Sequence, residues 1–471
     1  MKIVVWLIPA CLAVGAAAAL AVWRAGDGPG RELAERRPGT DNAPEVVAAP
    51  LDVAAIGTVE TGPGAPAELE GSWPGFRGPG ADNISPDQTK LLRQWPADGP
   101  KVLWRVDMGE GYAGAAVADG RVFVFDYDQQ KRADALRCLS LADGAEIWRF
   151  SYPLQVKRNH GMSRTVPAVA DGVVVGLGPK CHVIACDAAT GKLLWAIDLP
   201  AEYGTKVPEW YAGQCPRIAD GRVLLAPGGP DALLMAVELK TGEVLWKTPN
   251  PRHWGMTHAS VAVMAAEGRP VGVYPATGGV VGVDLSDGKL LWEYPDWRIG
   301  IANVPTPVPI DAERVFLCGG YNAGSLMLRL RADGGGLVPK RLFKLPHQVF
   351  GSHQQTPILY EGHLYGVRQD GRLTCLGLDG EALWASDGPY KFGMGPFLIA
   401  DGVILVLDDD GTLTMAEAVP SGFRPVARAA VLTGHEAWGP MALLEGRLIV
   451  RDLKQMACVD LRAESTEKET D

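Results

Sequence analysis

From about residue 101 to residue 461 the chain is written in short apolar runs, each broken by a two-residue acidic-glycine or similar turn, and no window carries a sustained 3.6-residue apolar stripe. This pattern predicts hairpins and excludes an alternating helix-strand fold. A first type of hairpin recurs eight times, over 115–124, 167–175, 216–225, 260–273, 307–317, 357–367, 396–406 and 440–450. A second type follows it and ends in tryptophan: Cys138-Leu-Ser-Leu-Ala-Asp-Gly-Ala-Glu-Ile-Trp148, Cys186-Asp-Ala-Ala-Thr-Gly-Lys-Leu-Leu-Trp195, Val237-Glu-Leu-Lys-Thr-Gly-Glu-Val-Leu-Trp246, Val283-Asp-Leu-Ser-Asp-Gly-Lys-Leu-Leu-Trp292 and Cys375-Leu-Gly-Leu-Asp-Gly-Glu-Ala-Leu-Trp384. The steps between these tryptophans are 47, 51, 46 and 92 residues, the last being two periods.

A period of this length with four strands per repeat predicts an all-β, eight-bladed β-propeller over residues 101–461. The eighth first hairpin is followed by Met456-Ala-Cys-Val-Asp-Leu461 but by no tryptophan strand. That strand is expected from the other end of the domain, in Lys101-Val-Leu-Trp104-Arg-Val-Asp107, so that one strand from each terminus closes the ring and removes the last open sheet edge.

The 58 glycines and 36 prolines suit many tight turns, and six of the 14 tryptophans, at 104, 148, 195, 246, 292 and 384, stand at the repeat position and are expected to wedge between neighbouring blades. Blades five and seven lack this tryptophan, with Gly334-Gly-Gly336 and Phe423-Arg-Pro425 in its neighbourhood, and their junctions are expected to be looser.

Upstream, Ile3 to Trp23 form an apolar stretch long enough to span a bilayer as a helix, and 1–23 reads as a membrane anchor or as a signal peptide, with Ala17-Ala18-Ala19 as a small-residue cleavage site. Either reading implies export to the periplasm or cell envelope. The arginines at 24, 31, 36 and 37, after the span, oppose the positive-inside tendency for an exported domain. Residues 24–71 are rich in Pro, Gly, Ala and Glu and read as a disordered linker, 72–100 as a lead-in cap segment, and 462–471 as a disordered acidic tail. The net charge of −10, without a cluster of basic residues among aromatics, argues against a nucleic-acid partner.

Eight cysteines occur, one of them within the apolar leader. Cys138, Cys186, Cys375 and Cys458 hold the same strand of four different blades and read as buried core; Cys181 and Cys186 point to opposite faces of one strand; Cys215 is the thiol placed to look into the central channel. No Cys-x-x-Cys, nucleophile elbow, phosphate loop or dinucleotide fingerprint is present.

The tight turns within hairpins share one face, whereas the links from each tryptophan strand to the next innermost strand are long and share the other. Six of the eight histidines, at 160, 253, 258, 347, 353 and 435, fall in these links, together with Trp210, Trp254, Trp297 and Trp438 and, nearby, Glu110, Tyr112, Arg164 and Asn303. These fourteen residues are the candidates for a polar, aromatic-lined funnel at the channel mouth. The spacing of the histidines follows no metal-ligand rule, so no metal site is assigned. Glu110, Glu209, Asp296 and Glu436 are candidate acids, bases or hard-cation ligands, and Asp408-Asp409-Asp410-Gly reads as a solvated hairpin tip.

The phrase Ala185-Cys-Asp-Ala-Ala-Thr-Gly-Lys-Leu-Leu-Trp195 resembles the tryptophan-docking repeat of the pyrroloquinoline quinone (PQQ)-like propellers, a superfamily that includes quinoprotein alcohol dehydrogenases and the assembly factor BamB. The lead-in Trp73-Pro-Gly-Phe-Arg-Gly-Pro79, with Ile84-Ser85-Pro86, Trp95-Pro96 and Gly99-Pro100-Lys-Val-Leu-Trp104, is similar to the start of exported PQQ-like repeat proteins. The resemblance implies two functions. The first is a non-catalytic, membrane-tethered propeller that binds a protein or small ligand on the long-loop face. The alternative is a quinoprotein-type oxidoreductase with PQQ and calcium in the funnel, the quinone stacked on Trp254 or Trp438. Such dehydrogenases carry adjacent cysteines, which this sequence lacks, and hold calcium through Glu, Asn and Asp; Glu110, Asn159, Asn303 and Asp296 match by residue type alone.

Overall fold

The computed structural model describes residues 51–334 and 336–463. The apolar stretch Ile3–Trp23, the first part of the expected linker and nearly all of the acidic tail lie outside the described residues. Among the described residues no helix is long and apolar enough to cross a membrane.

Eight antiparallel sheets follow one another along the chain, seven of four strands and one of six. Blade one, for example, runs Ala115–Ala118, Arg121–Asp128, Ala133–Ser140 and Glu146–Pro153 from inside to outside. Blade eight is closed as its incomplete repeat demands. Its fourth strand is Val102–Asp107, paired antiparallel with Gln455–Asp460 in the register Trp104↔Cys458 and Asp107↔Gln455.

Four successive junctions repeat one piece of chemistry. The second hairpin turns through an Asp-Gly or Thr-Gly pair whose glycine has positive φ, as at Gly144 (73°), Gly191 (73°), Gly242 (73°) and Gly288 (78°). A Cβ on each of these glycines would stand within 2.9 Å of the tryptophan ring of the preceding blade: Trp104, Trp148, Trp195 and Trp246 respectively. The ring therefore lies flat on the neighbour's turn, where only glycine leaves room. Its Nε1 then reaches a carbonyl beside that turn: Trp104 donates to Leu141 O (3.0 Å), Trp148 to Ala188 O (3.1 Å), Trp195 to Leu239 O (2.9 Å) and Trp246 to Leu285 O (3.0 Å).

The two repeats without tryptophan differ from each other. A one-residue register shift marks the docking position in the blades, directly after Ala185↔Trp195 in blade two, for instance. In blade five the same shift follows Met327↔Phe343, and Phe343 lies against the turn glycine Gly380 of blade six, so an aromatic ring does fill that junction. The expectation of a loose junction there is corrected. Blade five hides its docking residue because the ring is a phenylalanine: Phe343 stands 51 residues after Trp292, the same step as from Trp195 to Trp246, but on an outer strand of ten residues, Gly336–Leu345, that carries no tryptophan. Among the described residues the buried Nε1 of Trp292 has no hydrogen-bond partner. In blade seven the position is taken by Ala427, and Phe423 packs on Trp384 with ring centroids 5.9 Å apart.

The ordered chain also extends upstream of the expected boundary at 71. Thr58–Thr61 adds a strand outside Glu146–Pro153, and Ser72–Trp73 adds one inside Ala115–Ala118. The polar composition of this stretch suits an edge strand, which needs backbone pairing and little apolar burial.

From Trp73 the lead-in enters the ring. Pro74 O accepts from Val169 N on the innermost strand of blade two, Arg77 Nη2 donates to Pro357 O at the start of that of blade six, and Asn83 and Ser85 exchange backbone hydrogen bonds with Ile399 of blade seven. The segment expected as a cap thus crosses the central channel. Its Trp-Pro-Gly-Phe-Arg-Gly phrase supplies small and turn-forming residues where the backbone must pass close to the strands, as at Gly75 beside Ala168.

Candidate functional site

Immediately before each innermost strand, the chain descends from the long-loop face into the channel. There it meets the lead-in, and a cavity of about 300 Å³ remains above Phe76 and Asn83. Six of the fourteen funnel candidates line it: Tyr112, His160, Arg164, Trp210, His258 and Trp438. The rest of the wall comes from Tyr321, Gln354, Gln355, Met394 and Cys215, among others.

Two groups dominate the wall. On one side Tyr112 and Trp438 pack at 5.0 Å between centroids, and Arg164 covers the other part of the Tyr112 ring, its guanidinium carbon 5.0 Å from the centroid. Tyr112 Oη donates to Glu436 Oε2 (2.6 Å), and Trp438 Nε1 to Asp409 Oδ1 (2.7 Å), which also accepts from Met394 N (2.8 Å). Trp210 and His258 form the other group, with ring centroids 6.3 Å apart. Burial, and then the nearby Arg164 charge, pushes the His258 pKa down to about 4, so this imidazole is neutral at pH 7. Burial likewise lowers the Arg164 pKa from its usual value and raises that of Tyr112.

Several buried polar atoms here have no hydrogen-bond partner among the described residues: Arg164 Nε, His258 Nε2 and both side-chain atoms of Asn303, which sits between the cavity-lining Ala302 and Val304. Most buried polar groups in folded proteins are satisfied, and each that is not costs free energy. Four such atoms gather around this one cavity.

The remaining candidates lie elsewhere, each for a local reason. Glu110 is drawn to Arg158 (2.7 Å) and Lys454 (3.4 Å), whose charges hold its carboxyl below the usual range. Trp254 and Trp297 are buried in the wall, against Gly278 and Gly319 respectively, and act as core. His253 and His435 are exposed on loops, His347 is half-buried at the end of blade five, and His353 packs edge-on to Tyr321 at 5.3 Å. Asp409 of the expected solvated tip turns inward to Trp438 instead. Cys215 lines the cavity, yet burial raises its thiol to about 11, which leaves it unreactive at neutral pH.

The residues present do not form a calcium site of the quinoprotein type. Glu110 is neutralised by two cations, Glu436 and Asp409 are engaged by Tyr112 and Trp438, and among the described residues no three His, Cys, Asp or Glu converge. The described cysteines are all free and none neighbours another in sequence. Missed by the sequence reading were Phe76, Asn83, Gln354, Gln355 and Met394. Phe76 stands in the recognised lead-in phrase and Asn83 just before Ile84, and only the path of that segment through the channel brings them to the cavity.

Comparison with known proteins agrees with this architecture. The family model described as outer membrane protein assembly factor BamB matches residues 131–386, more than half of the chain. Quinoprotein alcohol dehydrogenase PedH of Pseudomonas putida is 30% identical over 171 residues, covering 34% of this chain and 27% of its own. BamB of Moranella endobia is 24% identical over 220 residues, covering 43% of this chain and 52% of its own. The chain thus spans between about a quarter and a half of the length of these curated relatives. The crystal structure of BamB from Moraxella catarrhalis superposes with a TM-score of 0.52 at 14% identity, over 76% of this chain and 99% of that one. Quinohemoprotein alcohol dehydrogenase from Comamonas testosteroni superposes with a TM-score of 0.57 at 14% identity, over 83% and 81%.

Proposed function

The chain belongs to the BamB family of PQQ-like repeat propellers, and from that premise we propose that it is a non-catalytic binding module of the cell envelope, its apolar leader serving as anchor or export signal. Its cavity on the long-loop face holds a compact aromatic or anionic group of a small ligand or partner. The observation that carries this reading is the half-satisfied Arg164, stacked on Tyr112 and lining one aromatic cavity with a neutral His258. Such a site offers stacking and one cation but no free carboxylate as base.

Family members of the dehydrogenase kind support a second reading, an oxidoreductase that stacks a quinone on Trp438. One experiment separates the two. The full chain is titrated with benzoate, and with PQQ plus calcium, while melting temperature, absorption and dye-linked alcohol oxidation are followed. Stabilisation that Arg164→Met abolishes, without turnover, is the expected result. Alcohol oxidation by the reconstituted chain would establish the second reading, and a melting temperature unmoved by either probe would remove the first.

A further inference from the structure

A second cavity, of about 270 Å³, lies on the other side of Phe76, and its chemistry is different. The two cavities share Phe76 and Cys215, but the second is walled by residues further along the same innermost strands: Arg217 after Cys215, Val308 after Val304, Leu359 after Thr356. The lead-in therefore divides the channel into an upper and a lower chamber.

Two guanidinium groups line the lower chamber. Arg77, carried by the lead-in, is 4% exposed; it donates from Nη2 to Pro357 O (3.0 Å) and Asp82 O (3.3 Å), and its Nε has no partner. Arg217, from the first strand of blade three, is half-buried, its Nε is unpartnered, and its guanidinium makes no hydrogen bond or ion pair with any described residue. Among the described residues neither arginine has a carboxylate within ion-pairing distance. Asp82 is the nearby acid, and one of its oxygens is already given to Ile84 N (2.9 Å). The chamber is otherwise apolar or neutral, lined by Val261, Ala262, Val308, Pro309 and Leu359.

Two cations against one carboxylate leave an excess positive charge in a largely desolvated space. Burial pushes Arg77 down to about 10, and the Arg217 charge works in the same direction. An unpaired guanidinium in such a place is costly, and its planar fork matches an oxygen pair of a carboxylate, phosphate or sulfate. We propose that the lower chamber is a binding site for a small oxyanion or carboxylate, held between Arg77 and Arg217 with the lead-in as its lid toward the upper cavity. The site is distinct from the cavity that holds Arg164, and the proposal does not depend on how that cavity functions.

Isothermal titration of the full chain with inorganic phosphate and, separately, with succinate, both at constant ionic strength, tests this. The expected result is one saturable site for at least one of the two probes, whose relative affinities tell oxyanion from carboxylate. Arg217→Met, which removes a group with no protein partner and should therefore fold, is expected to weaken binding by about tenfold or more, and Arg217→Lys to recover part of it. The absence of saturable binding to wild type, binding that survives Arg217→Met, or binding lost instead in Arg164→Met, would each overturn the assignment.

Discussion

Arg164 lies over the ring of Tyr112 at 5.0 Å, and the hydroxyl of the same residue donates a hydrogen bond to Glu436 at 2.6 Å, so a cation, an aromatic face and a carboxylate are linked through one side chain. The tyrosine screens the charges from each other: the Arg164 guanidinium stays out of ion-pairing distance of Glu436 and keeps its Nε unpartnered.

That arrangement predicts an unusual mutational result. Arg164 is desolvated without full compensation, so Arg164→Met, which keeps a contact with Tyr112 through a polarisable side chain, should leave folding stability unchanged or raise it by up to about 2 kcal/mol. Tyr112→Phe, by contrast, strips the partner from Glu436 and should cost about 1 kcal/mol. Urea midpoints of the two variants, compared with wild type, check both signs. A loss of more than about 2 kcal/mol in Arg164→Met would show that the guanidinium holds the loops together rather than serving recognition.

The docking tryptophans allow a paired comparison. Trp246 donates to Leu285 O at 3.0 Å, whereas Trp292, also buried, donates to none of the described residues. Replacement by phenylalanine removes similar volume in both cases, but only at 246 does it remove a hydrogen bond. Trp246→Phe should therefore destabilise more than Trp292→Phe by about 1 kcal/mol. Equal midpoints in chemical denaturation would mean that ring packing alone sets the junction energy.

The blades were legible because three separate requirements fall on a single short phrase: a strand, a positive-φ glycine and a ring to lie on the next glycine. Where the requirements separate, legibility fails. Phe343 serves as a docking ring at an ordinary step of 51 residues from Trp292, but its hairpin lacks the tryptophan phrase, and a search for that phrase passes over it. The site was half legible. Tyr112, His160, Arg164, Trp210, His258 and Trp438 were found by counting which links carry polar and aromatic residues, but the same count cannot tell a ring facing the channel from one pressed into the wall, as Trp254 and Trp297 are. The path of Phe76 and Asn83 through the channel depends on pairing with Val169 and Ile399, hundreds of residues apart from each other, and leaves no local signal.

Ring closure makes a prediction about chain length. Val102–Asp107 supplies the outer strand of blade eight and places Trp104 on Gly144 of blade one. A chain that starts at residue 108 would leave the Gln455–Asp460 edge open and the first junction without its ring. It should form polydisperse aggregates in light scattering, while a chain that starts at residue 51 should remain monodisperse with the melting temperature of the full protein. A monodisperse product from 108 onward would mean that the ring is held by the other seven junctions alone.

Between blades one and two a buried acid sets a pH dependence. Asp134 is fully buried, accepts from Tyr152 Oη (2.8 Å) and has one oxygen without a partner among the described residues; burial raises its pKa to about 7 from the ordinary 3.8. The folded state thus keeps a proton between about pH 4 and pH 7 that the unfolded chain has shed. Its contribution to stability is greatest at the acid end of that window, falls by at most about 1.4 kcal/mol per pH unit as pH rises through it, and is level above pH 7. Asp134→Asn retains an acceptor for Tyr152 and removes the titration. The nearby His182, 3.5 Å from Tyr152 Oη, is held below its usual pKa by burial and acts with the opposite sign, so the informative quantity is the difference between variant and wild type. That difference in unfolding free energy should favour the variant increasingly from pH 5 to pH 7 and then stay constant to pH 9. A difference that is flat across the whole range would place the Asp134 proton elsewhere and with it the interior polarity of the first junction.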